Sequence, residues 1–343
     1  MSNLTVVGIT GSYGKTSIKN IINEVLQEEK ITLQTPSSFN TPVGLSITIN
    51  KDLTKMHEIF LAEMGAYYPG EIKELANMVK PKIGIVSSIG PQHLETFKSI
   101  KNIQKTKMEL IENLPIDGLG ILNYDNQNIR EYNLKNKVPI KWYSLEEENV
   151  DLYAYDIIYL EQGMNFKIKF KNEEYQIETK LLGKYNVYNI LAAILVADYE
   201  GIPINKIIKN IKKINKIEKR LEIKYINKEL TIIDDSFNGN IVGMQEGFKI
   251  LSKYNNLKIL ITPGIIDGGT ENYKINKELS QSIEGIDYIL FVGKYNRQPL
   301  HEGLKDNLQA KDFDNFLDAY NYAVNLEGKK TILVANDLPD KYN

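Results

Sequence analysis

The sequence contains no cysteine, which excludes disulfides, thiolate metal sites and a cysteine nucleophile at once. Tryptophan occurs once and histidine three times, and arginine is confined to Arg130, Arg220 and Arg297. Lysine supplies nearly all the positive charge, so each arginine stands out. Neither sign of charge dominates: 42 Lys and Arg against 44 Asp and Glu leave a formal net charge of -2. No global field therefore draws the chain to nucleic acid or anionic lipid. No apolar run approaches the length of a bilayer span, and no basic segment followed by an apolar one opens the chain. The expectation is a soluble, cytoplasmic protein with no nucleic acid partner; charge says nothing further about partners. At 343 residues, length favours two domains.

What is present begins almost immediately. Val6-Val7-Gly8-Ile9-Thr10 is a short β-branched run, Gly11-Ser12-Tyr13-Gly14-Lys15-Thr16-Ser17 follows, and apolar residues then recur at Ile18, Ile21, Ile22, Val25 and Leu26. That last spacing is the one-sided stripe of a helix. Strand, glycine-bracketed loop and helix in this order read as a nucleotide-phosphate loop spanning Thr10 to Ser17. Gly11 and Gly14 let backbone N–H groups turn inward around an anion, and the helix points its positive end at the same place. Lys15 would reach the β- and γ-phosphates, and the Thr16 hydroxyl would ligate Mg²⁺. The usual pattern carries a glycine where Ile9 stands; the competing reading is a plain glycine turn beside a surface lysine.

Further along, Thr35 to Gly44 is rich in turn formers and hydroxyls and reads as a loop, either near the phosphate site or a plain connector. Glu58 to Ala66 is an apolar strand whose end carries Glu63. In an open parallel sheet such ends line the ligand crevice, where a carboxylate can hold Mg²⁺ directly or through water; an acid in an exposed turn is the alternative. Lys82 to Ile89 is another strand, with His93 just beyond it. A lone histidine is commonly structural, yet this one falls where a second metal ligand would be needed. Ile100 to Leu114 is an amphipathic helix containing Lys107, which nothing in the local pattern singles out.

Alternating runs between Val138 and Phe170 predict antiparallel strands appended to the main sheet. Ile190 to Ala197 is apolar nearly all round and reads as a buried helix. A lysine-rich helical stretch from Asn205 to Lys219 closes the first domain. Strands beginning at Thr231, at Leu257 to Thr262, at Tyr288 to Val292 and at Thr331 to Ala335 alternate with helical patterns and make a second α/β domain. The fold class expected is α/β: a phosphate-loop ATPase domain with a mostly parallel sheet over residues 1–218, then a Rossmann-like domain over 219–343.

These motifs, in order and at matching separations, resemble the Mur ligase family, ATP-dependent enzymes that add amino acids or peptides to peptidoglycan precursors. The nearest likeness is to the members that add D-alanyl-D-alanine. The family's phosphate loop is similar to Thr10 through Ser17 and shares the missing first glycine. Its Glu-Met-Gly-Ala magnesium glutamate matches Glu63, and its His-Leu-Glu metal histidine matches His93. Its carbamylated lysine falls on Lys107, whose carbamate would serve a second Mg²⁺. Its adenine-side asparagine falls on Asn189, with Tyr185 where histidine is usual. The arginine of its Gly-Arg-Leu-Glu motif falls on Arg220, which would reach the nucleotide phosphates. A motif similar to Asp234 through Ile241 would put Asp235 on the ribose and Asn238 in the nucleotide pocket.

The resemblance implies an amide-forming ligase with ATP and two Mg²⁺ ions as cofactors. Its substrates would be a nucleotide-linked muropeptide or other carboxylate and an amino acid or dipeptide, joined through an acyl phosphate with Lys15, Lys107 and His93 as catalytic residues. Family members begin with a domain that grips the uridine diphosphate sugar, whereas this sequence starts almost on the phosphate loop; a partner chain supplying that domain is one expectation. The Gly-Ser-Arg signature of the D-alanyl-D-alanine-adding members is also missing. Two other readings stand beside the first: a ligase of another polymer, as in folylpolyglutamate or cyanophycin synthesis, and a nucleotide-binding regulator or scaffold without ligase activity.

Overall fold

The structure, a computed structural model, describes residues 4–37, 39–160, 162–215, 217–237, 239–266 and 268–336. The chain folds as two compact units, Met1–Lys180 with Tyr185–Asn215 and Leu181–Lys184 with Lys216–Asn343. Both are α/β.

The first unit runs β1 (Thr5–Thr10), α1 (Lys15–Leu26), β2 (Thr32–Gln34), α2 (Pro42–Lys51), β3 (Ile59–Glu63), α3 (Glu71–Val79), β4 (Ile83–Val86), α4 (Leu94–Phe97), α5 (Ile100–Glu112), β5 (Leu119–Asn123), α6 (Gln127–Arg130), β6 (Ile140–Ser144), β7 (Leu152–Leu160), β8 (Gly163–Phe170), β9 (Glu173–Thr179), α7 (Lys184–Tyr199) and α8 (Ile204–Lys213). Its nine strands form one sheet in the order β2-β3-β1-β4-β5-β6-β7-β8-β9. Pairing is parallel from β2 to β7 and antiparallel across β7, β8 and β9. The alternating runs after residue 138 thus extend the main sheet, but antiparallel pairing begins only between β7 and β8; β6, expected to be antiparallel, lies parallel to both β5 and β7. Strand β1 sits between β3 and β4 with Ile9 level with Glu63 on one side and Ile85 on the other. That register brings the end of β3 and the residues after β4 to the start of the loop.

A row of glycines sets the depth of α5. Gly8, Gly84 and Gly120 lie side by side on β1, β4 and β5. A Cβ on Gly84 would come within 3.1 Å of Ile111 and Leu114 and 3.2 Å of Leu110, all from α5 or its end. The missing side chains form a groove that receives the helix, and Lys107 is carried down with it.

Two boundaries differ from expectation. The loop after Thr35 ends at Thr41 because Thr41 caps a helix, its hydroxyl accepting the Gly44 N–H at 3.3 Å with Pro42 in the first turn. Proline and a hydroxyl cap are helix starters as well as turn formers. Helix α8 stops at Lys213, short of Lys219. Its Ile207 and Ile211 are buried together with Asn210, which donates to Val25 O at 3.0 Å.

The second unit runs β10 (Glu222–Tyr225), β11 (Leu230–Asp235), α9 (Ile241–Ser252), β12 (Leu257–Thr262), α10 (Asn272–Gln281), β13 (Tyr288–Val292), α11 (Arg297–Gly303), β14 (Ala310–Phe313), α12 (Phe316–Asn325) and β15 (Lys330–Ala335). Its six strands are ordered β10-β11-β15-β12-β13-β14. Only β10 is antiparallel. Ile232, Ile259, Ile261, Leu290 and Ile332 of the sheet pack with Ala319 and Ala323 of α12 in one core. Strands β2, β10 and β14, three or four residues each, carry too little pattern to be read from sequence.

Candidate active site

Between β1 and α1 the chain makes a tight loop resting on the residues that follow β4. The Ser12 N–H donates to Ser88 O at 2.8 Å, the Ser12 hydroxyl to Gly90 O at 3.0 Å, and the Ser87 hydroxyl to Tyr13 O at 2.5 Å. Gly11 has φ +146, and a Cβ there would stand 2.0 Å from Ser87 Oγ. Gly14, at φ +84, is the left-handed residue that opens α1. Both glycines are therefore required by conformation, and Gly11 by space as well. The Tyr13 hydroxyl donates to Pro91 O at 2.5 Å, and burial pushes its pKa up to about 12. Thr10 is fully buried, its hydroxyl donating to Met64 O at 2.9 Å. Ser17 is buried on the first turn of α1.

Lys15 folds back over the loop, its Nζ donating to Gly11 O at 2.9 Å and Ser12 O at 3.3 Å. One residue on, the Thr16 hydroxyl donates to Glu63 Oε1 at 3.2 Å. The same oxygen accepts the Asn40 side-chain amide at 3.3 Å, while the other, Oε2, takes the ammonium of Lys19 at 3.0 Å. Lys19 and Glu63 are each only 1 % exposed. Glu63 is thus a buried, oriented carboxylate rather than an acid in an exposed turn.

The Thr16 hydroxyl and the Glu63 carboxylate are hard oxygen donors side by side at a helix N-terminus, the donor chemistry that suits Mg²⁺. Among the described residues no three His, Cys, Asp or Glu side chains gather as a metal site. A Mg²⁺ ion that arrives with phosphates needs only one or two protein oxygens. The residues present fit such an ion.

Lys107, on α5, is 2 % exposed with its Nζ 5.9 Å from the centre of the Phe97 ring. Burial, and then the positive charge of Lys15, lower its pKa to about 7. Burial thus favours the neutral amine at this position. Glu71 and Glu109 act on it in the opposite direction. Both carboxylates are tied to α3 and its approach: Glu71 accepts the N–H groups of Tyr67 and Tyr68, and Glu109 those of Gly70 and Lys73. His93 has φ +50 at the start of α4, and its ring lies 4.3 Å from that of Tyr67.

Asn189, on α7, is buried and donates to Asn186 Oδ1 at 3.2 Å. Its own Oδ1 lies 3.5 Å from the position a Cβ on Gly14 would take, so α7 meets the phosphate loop at its last glycine. The structure brings together the loop, Glu63, Lys107 and Asn189 within the first unit.

Arg220 and Asp235 belong to the second unit. Arg220 is flanked by Lys219 at φ +56 and Leu221 at φ +51, two strained positions in a row of three. Asp235, 1 % exposed, accepts the Leu221 N–H at 3.1 Å, and Glu222 accepts that of Lys219 at 3.1 Å. These carboxylates hold the bend that presents Arg220. Asn238 lies outside the described residues.

Sequence reasoning passed over Lys19, Asn40 and the Ser87-Ser88 pair. Lys19 interrupts the apolar stripe of α1 on its buried side, which was the available signal; the serines directly follow β4, the strand adjacent to β1.

Parallel sheet, glycine-bracketed loop, and lysine and hydroxyl at the helix start define an α/β protein of the phosphate-loop class. The model of the Mur ligase middle domain matches residues 9–197, and the chain belongs to the Mur ligase family. A UDP-N-acetylmuramoyl-tripeptide–D-alanyl-D-alanine ligase from Buchnera aphidicola is 30% identical over 300 residues, covering 87% of this chain and 65% of the relative. The protein of that name from Escherichia coli is 27% identical, covering 84% and 64%. The chain thus spans just under two thirds of these relatives' length. Among solved structures, MurF from Acinetobacter baumannii superposes with a TM-score of 0.87 at 23% identity, covering 98% of this chain and 74% of that one. MurF from Thermotoga maritima in complex with ADP gives 0.86 at 22%, covering 97% and 76%. At such identities the structural likeness bears on the fold. Among the described residues no helix is long and apolar enough to cross a membrane.

Proposed function

We propose that this chain is an ATP-dependent ligase that joins a carboxylate to an amine in peptidoglycan precursor synthesis, with a UDP-MurNAc-tripeptide-like acceptor and D-Ala-D-Ala as the substrates of first choice. The observation that carries this reading is the buried Glu63 carboxylate held 3.2 Å from the Thr16 hydroxyl at a phosphate loop, in a chain of this family. Residues 1–218 would bind ATP and residues 219–343 would form the C-terminal domain. The substrate carboxylate attacks the γ-phosphorus, ADP leaves, and the amine displaces phosphate from the acyl phosphate to form the amide.

Negative charge gathers at the phosphoryl group in both steps, and the chain's own groups answer it: Lys15 and the backbone N–H groups at the start of α1 would bind and orient the phosphates. Thr16, Glu63, His93 and carbamylated Lys107 would hold Mg²⁺, which supplies Lewis-acid stabilisation of that charge. Asn189 would lie toward the adenine, Asp235 at the ribose, Asn238 in the nucleotide pocket and Arg220 at the phosphates. Support for the carbamate comes from Lys107 itself, buried and with its pKa down at about 7.

The test is phosphate release from Mg-ATP over a panel of muropeptides with D-Ala-D-Ala, comparing the wild type with Lys107→Ala, with and without bicarbonate. Release that needs both a peptide and Lys107, and that bicarbonate supports, is the expected result. ATP turnover without amide product on any acceptor would sink the ligase reading.

A further inference from the structure

The ion pair between Lys19 and Glu63 is not needed to make a phosphate loop, and it is costly to bury. Lys19 lies on α1 one turn beyond Thr16, so both side chains face the end of β3. Its Nζ donates to Glu63 Oε2 at 3.0 Å and to Ser37 O at 2.5 Å. Glu63 Oε1 takes the Thr16 hydroxyl and the Asn40 amide, and the Glu63 N–H donates to Thr35 Oγ1 at 3.2 Å. The carboxylate is thereby held with one oxygen turned to the lysine and the other toward the phosphate loop. Burying two charges is compensated only by good geometry and further hydrogen bonds. Both are present here, and their effect falls on the carboxylate that accepts the Thr16 hydroxyl.

We infer that Lys19 is a fixed counter-charge that makes divalent-cation binding at Thr16 and Glu63 conditional on bound nucleotide. The inference rests on the nucleotide reading above and adds an order of events to it. Without nucleotide, the Glu63 charge is cancelled by Lys19, and Lys15 adds a further positive charge over the same loop. In bicarbonate-free buffer, where Lys107 carries no carbamate, a free divalent cation therefore meets no net negative charge from Glu63, Lys19 and Lys15, at a depth where water screens little. A polyphosphate reverses the sign, and Glu63 Oε1 and Thr16 then stand ready with the geometry Lys19 has kept. The protein holds its metal only together with the phosphates. Lys19 is a positioning residue in this scheme, since it acts through Glu63.

Mn²⁺ binding, followed by electron paramagnetic resonance on the full chain with and without ADP, tests this without reference to turnover. In bicarbonate-free buffer, wild-type protein is expected to bind Mn²⁺ weakly without ADP and at least about ten-fold more tightly with it, part of that gain coming from the ADP phosphates themselves. Lys19→Gln, which keeps a donor but removes the charge, and Lys19→Met, which removes both, are expected to tighten Mn²⁺ binding to the nucleotide-free protein by about ten-fold or more. Lys19→Arg keeps the charge and is expected to keep the weak binding of the wild type. Equal Mn²⁺ affinity of wild-type protein with and without ADP overturns the inference. So do Lys19→Gln and Lys19→Met proteins that melt cooperatively yet retain wild-type nucleotide-free affinity. If neither folds, the nucleotide-free wild type still decides: Mn²⁺ held there as tightly as in the presence of ADP overturns the inference. Failure of the wild type to bind ADP at all overturns the nucleotide reading instead, while the nucleotide-free Mn²⁺ titrations continue to judge Lys19.

Discussion

Ser87 Oγ stands 2.0 Å from the position a Cβ on Gly11 would occupy. The phosphate loop is consequently closed to any other residue at that position, for the clash and for the φ of +146. Gly11→Ala is expected to cost about 2 kcal/mol or more in stability and to abolish ADP binding, as read by thermal melting and calorimetric titration. Wild-type ADP affinity in this variant would remove the loop from the nucleotide site.

Lys107 titrates at about 7 instead of 10.5 because it is buried, and next because Lys15 is near. Between those values the unfolded chain holds a proton that the folded chain lacks, so stability rises with pH across the window. Below the lower value the whole penalty is present. In bicarbonate-free buffer Lys107→Met is expected to be more stable than wild type by on the order of a few kcal/mol at acid pH, with the difference vanishing toward alkaline pH. A melting-temperature difference that does not vary with pH would show that Lys107 is not held neutral by the fold.

Glu63→Gln leaves the Lys19 ammonium buried against a neutral amide and is expected to cost about 3–5 kcal/mol in urea unfolding. Adding Lys19→Met should recover part of that loss, so that the double variant falls short of the sum of the single ones. Strict additivity would mean that the pair does not interact across its 3.0 Å contact.

Gly84→Ala puts a methyl group into the groove beneath α5, 3.1 Å from Ile111 and Leu114. The helix must rise by a few tenths of an ångström, with an expected cost of about 1–3 kcal/mol in the urea midpoint. Lys107 would rise with it, so its pKa should move upward from about 7. A wild-type midpoint would show that the strands, not α5, set this spacing.

The parts of this site that could be read along the chain are those whose chemistry is local. Loop glycines beside a strand and a stripe announce themselves within a dozen residues, and Glu63 ends an apolar run where parallel sheets open. Lys107 is different: in sequence it is a lysine on an amphipathic helix, and only the pairing of Gly8, Gly84 and Gly120 from three separate strands lets α5 sink far enough to bury it. Lys19 was hidden by the stripe that contains it, since its partner lies 44 residues away. The start of α2 was missed because Thr41 and Pro42 serve turns and helix caps equally well. The bend around Arg220 depends on carboxylates at residues 222 and 235, a relation visible only once β10 and β11 are paired.

Strand β15, which lies between β11 and β12, gives the second unit a history opposite to that of the first. In the first unit the interior strand β1 leaves the ribosome before β3 and β4, the strands on either side of it, and the sheet can grow outward as synthesis proceeds. In the second, β11 with β10 and β12 with β13 and β14 wait as two open fragments until residues 330–335 arrive to join them. Translation halted just upstream would release a chain with a finished first unit and two bare sheet edges in the second, the kind of surface that seeds aggregation.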